Sequence, residues 1–146
     1  MKFALTMLAA LVVPASAVAQ EVQQYDIVCT GTKSEKARPS ATAVQTPFET
    51  RIAVDLATRS WCEAVCEVPK QMFGSNAELI QFHFAERDFG GGMLRALNSI
   101  QLNRTSGRLS WIEGFVSPSD GTLTRGWEVT ANCQRAEFTP FPVTRF

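Results

Sequence analysis

Residues 52–66 read Ile-Ala-Val-Asp-Leu-Ala-Thr-Arg-Ser-Trp-Cys-Glu-Ala-Val-Cys, and this stretch decides the fold class. Ile52, Val54 and Leu56 alternate with small or polar residues, a two-residue period that is typical of a half-buried strand. Thr, Arg and Ser follow at 58–60, where their polar side chains favour a turn. The stretch therefore predicts a β-hairpin whose second strand carries a tryptophan and two cysteines.

The first nineteen residues have the layout of a secretory signal peptide. A basic residue precedes an apolar run over 3–13, and Ala17-Val18-Ala19 offers small residues for cleavage. A run of about eleven residues is too short to span a bilayer comfortably. We therefore predict a signal peptide over 1–19 and a single exported domain over 20–146, with an uncleaved N-terminal helix as the alternative.

The net charge of the mature chain argues against polyanionic partners. Removing 19 of the 146 residues leaves 127, with 13 basic residues against 14 acidic ones. A nearly neutral chain has no broad electrostatic reason to bind nucleic acid or an anionic membrane. We expect no nucleic-acid partner and no membrane span.

Four cysteines lie in the predicted mature chain, and export to an oxidising compartment favours two disulfides. A straight strand places Cys62 and Cys66 about 13 Å apart, whereas a disulfide needs Cα atoms within about 7 Å. The chain must therefore bend between them, or each must bond elsewhere. Of the three possible pairings we favour Cys62–Cys66 and Cys29–Cys133. The second joins the first and last predicted strands, and both of its cysteines fall on the apolar parity of their strands, which predicts that they face the core.

Further strands are predicted on both sides of the hairpin. The clearest alternation runs over 123–133, and polar, glycine-containing turns precede it at 103–107 and 117–122. About seven strands joined by turns predict an all-β fold, an antiparallel barrel or sandwich stabilised by disulfides.

Three segments are less regular. Residues 79–86 alternate as a strand, although Ser75 and Glu78 resemble a helix capping box, which leaves a helix as the alternative. Residues 31–47 carry little apolar content and predict a long, mildly basic loop. The tail over 138–146 contains two prolines and three phenylalanines, so we expect it to pack across the body rather than form a central strand.

Catalytic motifs are missing from the sequence. His83 is the one histidine, predicted to lie on the surface, and it is too little for a zinc or copper site once the cysteines are committed to disulfides. Glu63 with Glu67, and Glu86 with Asp88, are the carboxylate pairs from which a hydrolase would have to be built. We expect no cofactor and no metal, and we favour a non-enzymatic protein while enzyme activity stays open.

The aromatic residues are the remaining functional signal. Three tryptophans and ten phenylalanines can line an apolar ligand pocket, as in small closed barrels, or fill the core. Trp61 is the candidate binding residue, because strict alternation places it opposite Cys62.

Several motifs resemble a family of small exported proteobacterial β-proteins without a known activity. The resemblance lies in Trp61-Cys62 followed by Cys66, in the turn Asn-Arg-Thr-Ser-Gly at 103–107, and in Cys133 with the Pro-Phe tail. It implies an exported, disulfide-bonded β-domain and, with that source, a periplasmic or extracellular location. It implies no activity and no functional residue.

Together these observations favour a non-enzymatic exported binding module for a small apolar ligand or a protein partner. One alternative is an envelope inhibitor or accessory protein that acts through the 31–47 loop or the C-terminal tail. The other is a carboxylate-based hydrolase.

Overall fold

A computed structural model describes residues 23–64, 68–89 and 94–141. In this part of the chain one curled antiparallel sheet of nine strands accounts for the regular structure, and there is no helix. The strands are β1 (Gln24–Lys36), β2 (Val44–Asp55), β3 (Ser60–Glu63), β4 (Lys70–Gln71), β5 (Gly74–Ser75), β6 (Leu79–Phe89), β7 (Leu94–Asn103), β8 (Arg108–Val116) and β9 (Leu123–Ala136). Their order across the sheet is β4-β3-β2-β1-β9-β8-β7-β6-β5.

The predicted all-β antiparallel class is confirmed, while the predicted number of about seven strands is wrong. β4 and β5 have two residues each, too few to show a period in the sequence. The predicted strand over 79–86 is confirmed as part of β6. The predicted signal peptide lies outside the described residues.

The hairpin predicted at the centre of the chain is β2 and β3. Ile52 pairs with Glu63 and Asp55 with Ser60. The Asp55 carboxylate accepts a hydrogen bond of 3.1 Å from the Thr58 backbone N–H, which stabilises the polar turn. The hairpin predicted from alternation and polar turn residues is thus confirmed.

The predicted 31–47 loop is wrong over most of its length. β1 continues to Lys36 and β2 begins at Val44, so only residues 37–43 connect them. Residues 31–35 of β1 pair on one side with β2 and on the other with β9. Backbone hydrogen bonds to the following strand and to the distant strand β9 therefore stabilise a segment that has no apolar period of its own.

Gly31 marks the closest approach of β1 to β9. A Cβ atom at this position would overlap the Thr130 carbonyl oxygen and lie 2.5 Å from the Ala131 Cα atom. The missing side chain lets the two backbones approach as the sheet curls.

The curled sheet is a half-barrel whose two edges are joined at one end by residues 70–75. Met72 donates to the Arg59 carbonyl oxygen at 2.8 Å, and Phe73 donates to that of Phe82 at 3.4 Å. At the other end, residues 44–50 of β2 and 83–89 of β6 have no second strand partner within the described ranges. The half-barrel is therefore closed at one end and open at the other.

The core lies on the concave side of the sheet, which we call the inner face. Cross-strand partners share a face in an antiparallel sheet, so the strand pairing also shows which residues outside the buried core lie on the inner face. The core side chains are Tyr25, Ile27, Cys29, Ile52, Val54, Trp61, Met72, Ile80, Phe82, Ile100, Leu102, Leu109, Val129 and Ala131. Most of them lie toward the closed end, where the barrel is filled.

The C-terminal tail is held to the outer face by Asp26, which is fully buried. Asp26 accepts hydrogen bonds from the Thr139 backbone N–H at 3.0 Å and from the Thr139 hydroxyl at 2.7 Å, and it pairs with Arg51. Arg51 also donates to the Glu137 carbonyl oxygen at 3.0 Å. Residues 137–139 are thus tied to β1 and β2 by polar contacts.

Burial of Asp26 favours its neutral form, but the donors of Thr139 and Arg51 outweigh this effect. They hold the pKa of Asp26 below its ordinary value. In the tail itself, the Phe138 and Phe141 rings pack edge to face with centroids 5.5 Å apart.

Candidate ligand-binding face

The predicted Cys29–Cys133 disulfide is present. The two residues lie directly opposite each other in β1 and β9, with Cα atoms 4.0 Å apart. Cys29 is fully buried, as its strand parity predicts. The bond joins the first and last long strands of the sheet and closes the chain over a separation of 104 residues.

Cys62 is also disulfide-bonded, and the predicted partner Cys66 lies outside the described residues. β3 ends at Glu63, and Ala64 adopts a positive φ of 49° while its N–H donates to the Arg51 carbonyl oxygen at 2.7 Å. The chain thus bends directly after β3, which is the condition that a bond between the two cysteines requires.

Trp61 lies in the core with only 2% of its surface exposed. Its ring contacts Phe82 at a centroid distance of 5.3 Å, and Lys70 Nζ lies 4.8 Å from its ring centroid. Its indole Nε1 has no hydrogen-bond partner among the described residues. A direct binding role for Trp61 stays a prediction, since its present position is that of a core side chain.

Three other aromatic rings on the inner face form a continuous row that we call the aromatic row. Phe48 of β2 packs edge-on against Trp111 of β8 with centroids 6.3 Å apart, and Trp111 contacts Trp127 of β9 at 5.2 Å. β2 and β8 are separated by two strands in the sheet, so this contact exists only because the sheet curls. All three rings are half-buried and pack on the core from the open end.

An apolar rim lies farther toward the open end of the same face. Val44 pairs with Glu35, and Phe89 pairs with Leu94, at register positions that belong to the inner face. Val44, Phe89 and Leu94 are 64%, 44% and 39% exposed, respectively, and we call them the apolar rim. Three of the five exposed large apolar side chains in the described part of the chain therefore share one face and one end.

Polar groups accompany the aromatic row. Lys33 Nζ lies 5.0 Å from the Trp127 ring centroid and 3.5 Å from the Glu35 carboxylate. Trp111 Nε1 and Asn98 Oδ1 are buried and have no hydrogen-bond partner within the described residues. Beside the aromatic row, the inner face thus carries one buried donor and one buried acceptor without a partner in the described residues, in addition to Trp61 Nε1 deeper in the core.

His83 does not lie where strict alternation predicts. The β6–β7 register shifts between Gln81 and His83, so that His83 pairs with Ile100 of the core. A bulge of this kind adds one residue to a strand and reverses the facing of all later residues. His83 is therefore half-buried on the inner face rather than beside Gln81 on the outer one.

The two predicted carboxylate pairs are not brought together as a catalytic dyad in the described residues. Glu86 forms a salt bridge of 3.2 Å with Arg95, and Asp88 is exposed farther along the same strand. Glu67 lies outside the described residues. A hydrolase built on these groups stays a prediction that no described contact supports.

Glu63 has a perturbed environment on the inner face. Burial raises the pKa of its carboxyl group above the ordinary value, while the Lys70 charge and a hydrogen bond from Thr50 oppose the increase. The Thr50 hydroxyl lies 3.5 Å from the carboxylate oxygen. An acid with a raised pKa needs a reaction partner to be catalytic, and these neighbours, a cation and a hydroxyl, are also those of an ordinary half-buried carboxylate.

Sequence reasoning singled out Trp61 and passed over the aromatic row. Trp111 and Trp127 count among the aromatic residues that the sequence offers for a pocket or the core, but nothing local shows that they meet. Extending the period of Ile52 back by four residues reaches Phe48, which is a usable signal that its ring shares the face of Ile52. In the rim, Val44 continues the same period but falls inside the predicted 31–47 loop, whereas the facing of Phe89 depends on the bulge in β6.

Comparison with known proteins adds no family to this description. No protein-family model matches the chain, and no match was found among curated proteins or solved structures. In the described ranges no group of three or more His, Cys, Asp or Glu residues is placed to hold a metal ion. Those ranges also contain no helix with the length and apolarity needed to cross a bilayer.

Proposed function

We propose that this protein is an exported, non-enzymatic binding module that holds a small apolar ligand at the open end of the half-barrel. The ligand lies on the inner face, between the aromatic row and the apolar rim. The observation that carries the proposal is the position of Val44, Phe89 and Leu94, which are exposed on the concave side of the sheet beyond a floor of aromatic rings.

Core packing alone accounts for the row but not for the rim. Phe48, Trp111 and Trp127 cover the core and are half-buried. Phe89 contacts Phe115 at a centroid distance of 5.6 Å, yet it remains 44% exposed. Fully burying an apolar side chain of this size stabilises a complex by about 1.5–3 kcal/mol, so a ligand that covers the rim gains a substantial driving force.

The unsatisfied polar atoms favour a ligand with one polar group on an apolar body. A buried donor or acceptor without a partner costs about 1–3 kcal/mol. Trp111 Nε1 lacks an acceptor and Asn98 Oδ1 lacks a donor. A ligand hydroxyl that reaches both atoms after a small side-chain movement offsets part of that cost.

A fluorescent reporter tests this proposal directly. N-phenyl-1-naphthylamine is neutral and apolar, and its emission rises when it leaves water. We expect saturable binding to the purified mature protein, and weaker binding by about tenfold or more in the double variant Phe89→Ser, Leu94→Ser, because two apolar contacts are lost. Native mass spectrometry of protein purified from its source then identifies any ligand that co-purifies.

Phe73→Ser is the matched control. Phe73 is 60% exposed and contacts Phe84, which pairs with Ser99 on the outer face. The variant removes one exposed aromatic ring without touching the inner face, so its reporter affinity should equal that of the wild type. Equal losses in the control and the rim variant, or none in the rim variant, would refute the proposed site.

A partner protein bound at the β1–β2 hairpin is a second candidate function. The core side chains of β1 end at Cys29 and those of β2 begin at Ile52, so both strands extend well beyond the core. Their connection, residues 37–43, is almost entirely exposed. Residues 33–36 and 44–45, on either side of this connection, belong to β1 and β2 and must be kept. The deletion that tests this candidate therefore removes only residues 38–42. The shortened protein should fold and lose its crosslinked partner, and an unchanged partner would exclude the hairpin.

A further inference from the structure

A shallow groove runs along the outer face of the sheet, on the opposite side from the proposed apolar site. It consists of two adjoining hollows with volumes of about 220 and 320 Å³, which share Ser34 and Glu128. We call it the outer groove. Its lining residues are Thr32, Ser34, Lys36, Ala41, Ala43, Gln45, Gly121, Thr122, Leu123, Glu128 and Thr130.

The strand pairing fixes the floor of the outer groove. Ser34 pairs with Gln45 on one side and with Glu128 on the other, and Thr32 pairs with Thr130. Cross-strand partners share a face, so these five polar residues form two adjacent rows on the outer face. The backbone register therefore places them together independently of the shape of the two hollows.

The polar side chains of this floor are available to a ligand. Hydroxyl side chains directly opposite each other often form a hydrogen bond across a strand pair. No hydrogen bond joins the five floor side chains to one another or to other described residues, and Glu128 forms no salt bridge within that part of the chain. Their donors and acceptors therefore face solvent.

One end of the outer groove is held in place by local hydrogen bonds. Lys36 Nζ donates to the Leu123 carbonyl oxygen at 3.3 Å, which ties the end of β1 to the start of β9. The Thr122 backbone N–H donates to the Asp120 carboxylate at 3.0 Å, and the Thr122 hydroxyl donates to the same oxygen at 2.8 Å. This end is thus preformed, so a ligand loses little free energy in ordering it.

The chemistry of the lining disfavours several classes of occupant. β1 and β9 each pair with a strand on both sides, so no strand edge is available here for an extended peptide. The lining residues include one ammonium group, on Lys36, and one carboxylate, on Glu128, so the groove has no net charge to attract a polyanion. Its floor is polar, which disfavours an apolar ligand. A neutral ligand that carries many hydroxyl groups matches this lining.

We propose that the outer groove binds a neutral oligosaccharide. The ligand hydroxyls donate to the Glu128 carboxylate and exchange hydrogen bonds with Ser34 and the neighbouring threonines. A pyranose ring takes the space of roughly six waters, about 180 Å³, so each hollow accommodates one ring. Ala41, Ala43 and Leu123 line the part of the groove where the C–H groups of a ring can pack. The site is independent of the apolar site on the inner face.

The test uses an array of immobilised neutral and acidic oligosaccharides. Hydroxyl contacts on an exposed face are weak, because each replaces a hydrogen bond to water. The mature protein is therefore biotinylated through a C-terminal tag and displayed on streptavidin, since linked copies raise the avidity by about 10²–10⁴. We expect binding to neutral oligosaccharides. No binding, or binding to acidic oligosaccharides alone, would overturn the proposal.

The double variant Ser34→Val, Glu128→Val removes the hydrogen-bonding groups that both hollows share, while valine favours an extended strand. Its array signal should fall by about tenfold or more. Thr30→Val, Glu49→Val is the matched control, because these two residues pair directly on the same outer face but do not line the groove. The control should bind like the wild type, and equal signals in the two variants would overturn the assignment.

Two further measurements separate the remaining outcomes. The same displayed protein is applied to immobilised peptides, and peptide binding that only Ser34→Val, Glu128→Val loses would assign the outer groove to a protein segment and overturn the oligosaccharide proposal. Reporter binding at the open end should be unchanged in both variants. Failure of this site and failure of the proposed function are therefore distinguishable.

Discussion

Replacing Asp26 with Asn tests the polar contact that fixes the tail to the sheet. The native carboxylate accepts two hydrogen bonds from Thr139 and pairs with Arg51. The amide keeps one acceptor oxygen and directs an N–H₂ group toward donors that previously faced an oxygen. The charge that held the Arg51 guanidinium is also lost.

The expected loss of stability at pH 7 is about 2–3 kcal/mol. Hydrogen bonds to a charged group contribute about 1.5–3 kcal/mol each, and removing one partner of a fully buried ion pair costs about 3–5 kcal/mol. The Arg51 side chain is 49% exposed, so water solvates its charge once the carboxylate is gone. The loss of stability therefore lies in the lower part of the range that these two values span.

The pH dependence supplies a second, more specific result. Because the folded pKa of Asp26 is lowered, its contribution is complete above the unfolded value of about 3.9 and disappears as the pH falls through the folded value. The wild type should therefore lose stability on acidification below about pH 4, and Asp26→Asn should lose less of it. Asp55 and Asp120 also have lowered pKa values and leave a residual acid dependence.

Urea unfolding monitored by tryptophan fluorescence at pH 7 and at pH 3 measures both effects. Asp88→Asn is the control, since Asp88 is exposed on β6 and its substitution should change stability by less than about 0.5 kcal/mol. The reasoning fails if Asp26→Asn is as stable as the control at pH 7, or if its acid dependence equals that of the wild type.

Three further substitutions probe other parts of the fold by urea unfolding. Gly31→Ala should lower the free energy of unfolding by about 3 kcal/mol or more, because its Cβ atom overlaps the neighbouring backbone. Gly74→Ala is the control, with open space around its Cβ atom, and its stability should stay within about 0.5 kcal/mol of wild type. Similar values for the two variants would contradict the close approach of β1 to β9. Replacing Cys29 and Cys133 together by Ala should cost up to about 4.7 kcal/mol, the chain-entropy value for a loop of roughly 100 residues, and a loss below about 1 kcal/mol would show that this bond constrains the unfolded chain little. Glu63→Gln should stabilise the protein at pH 7 by no more than about 1 kcal/mol, since the group is partly exposed. Because the folded pKa of Glu63 is raised, its favourable contribution is present below the unfolded value of about 4.3 and is lost as the pH rises through the folded value. The variant should therefore be no more stable than the wild type near pH 3. A stability advantage that persists at pH 3 would indicate another cause.

Local patterns in the chain were sufficient for the class of fold and for one disulfide. The alternation of Ile52 and Val54, with the polar turn that follows, was sufficient to predict the β2–β3 hairpin. Cys29 and Cys133 lie on the apolar parity of their strands, and that parity correctly placed both on the core side.

The candidate site was less accessible to such reasoning. The sequence indicated aromatic residues as a possible ligand surface and singled out Trp61, which the structure buries in the core. The rings that line the open end belong to residues from β2, β8 and β9, and their contacts have no signature within any one of these strands.

The sequence by itself determined which side of each strand is apolar, because alternation depends only on the two-residue period of an extended chain. Only the tertiary structure decided which strands meet and how far the sheet curls. Phe48 reaches Trp111 through that curl, residues 31–36 become a strand by pairing with β2 and β9, and a bulge turns His83 inward. Each of these depends on contacts between strands, which the two-residue period within one strand does not encode.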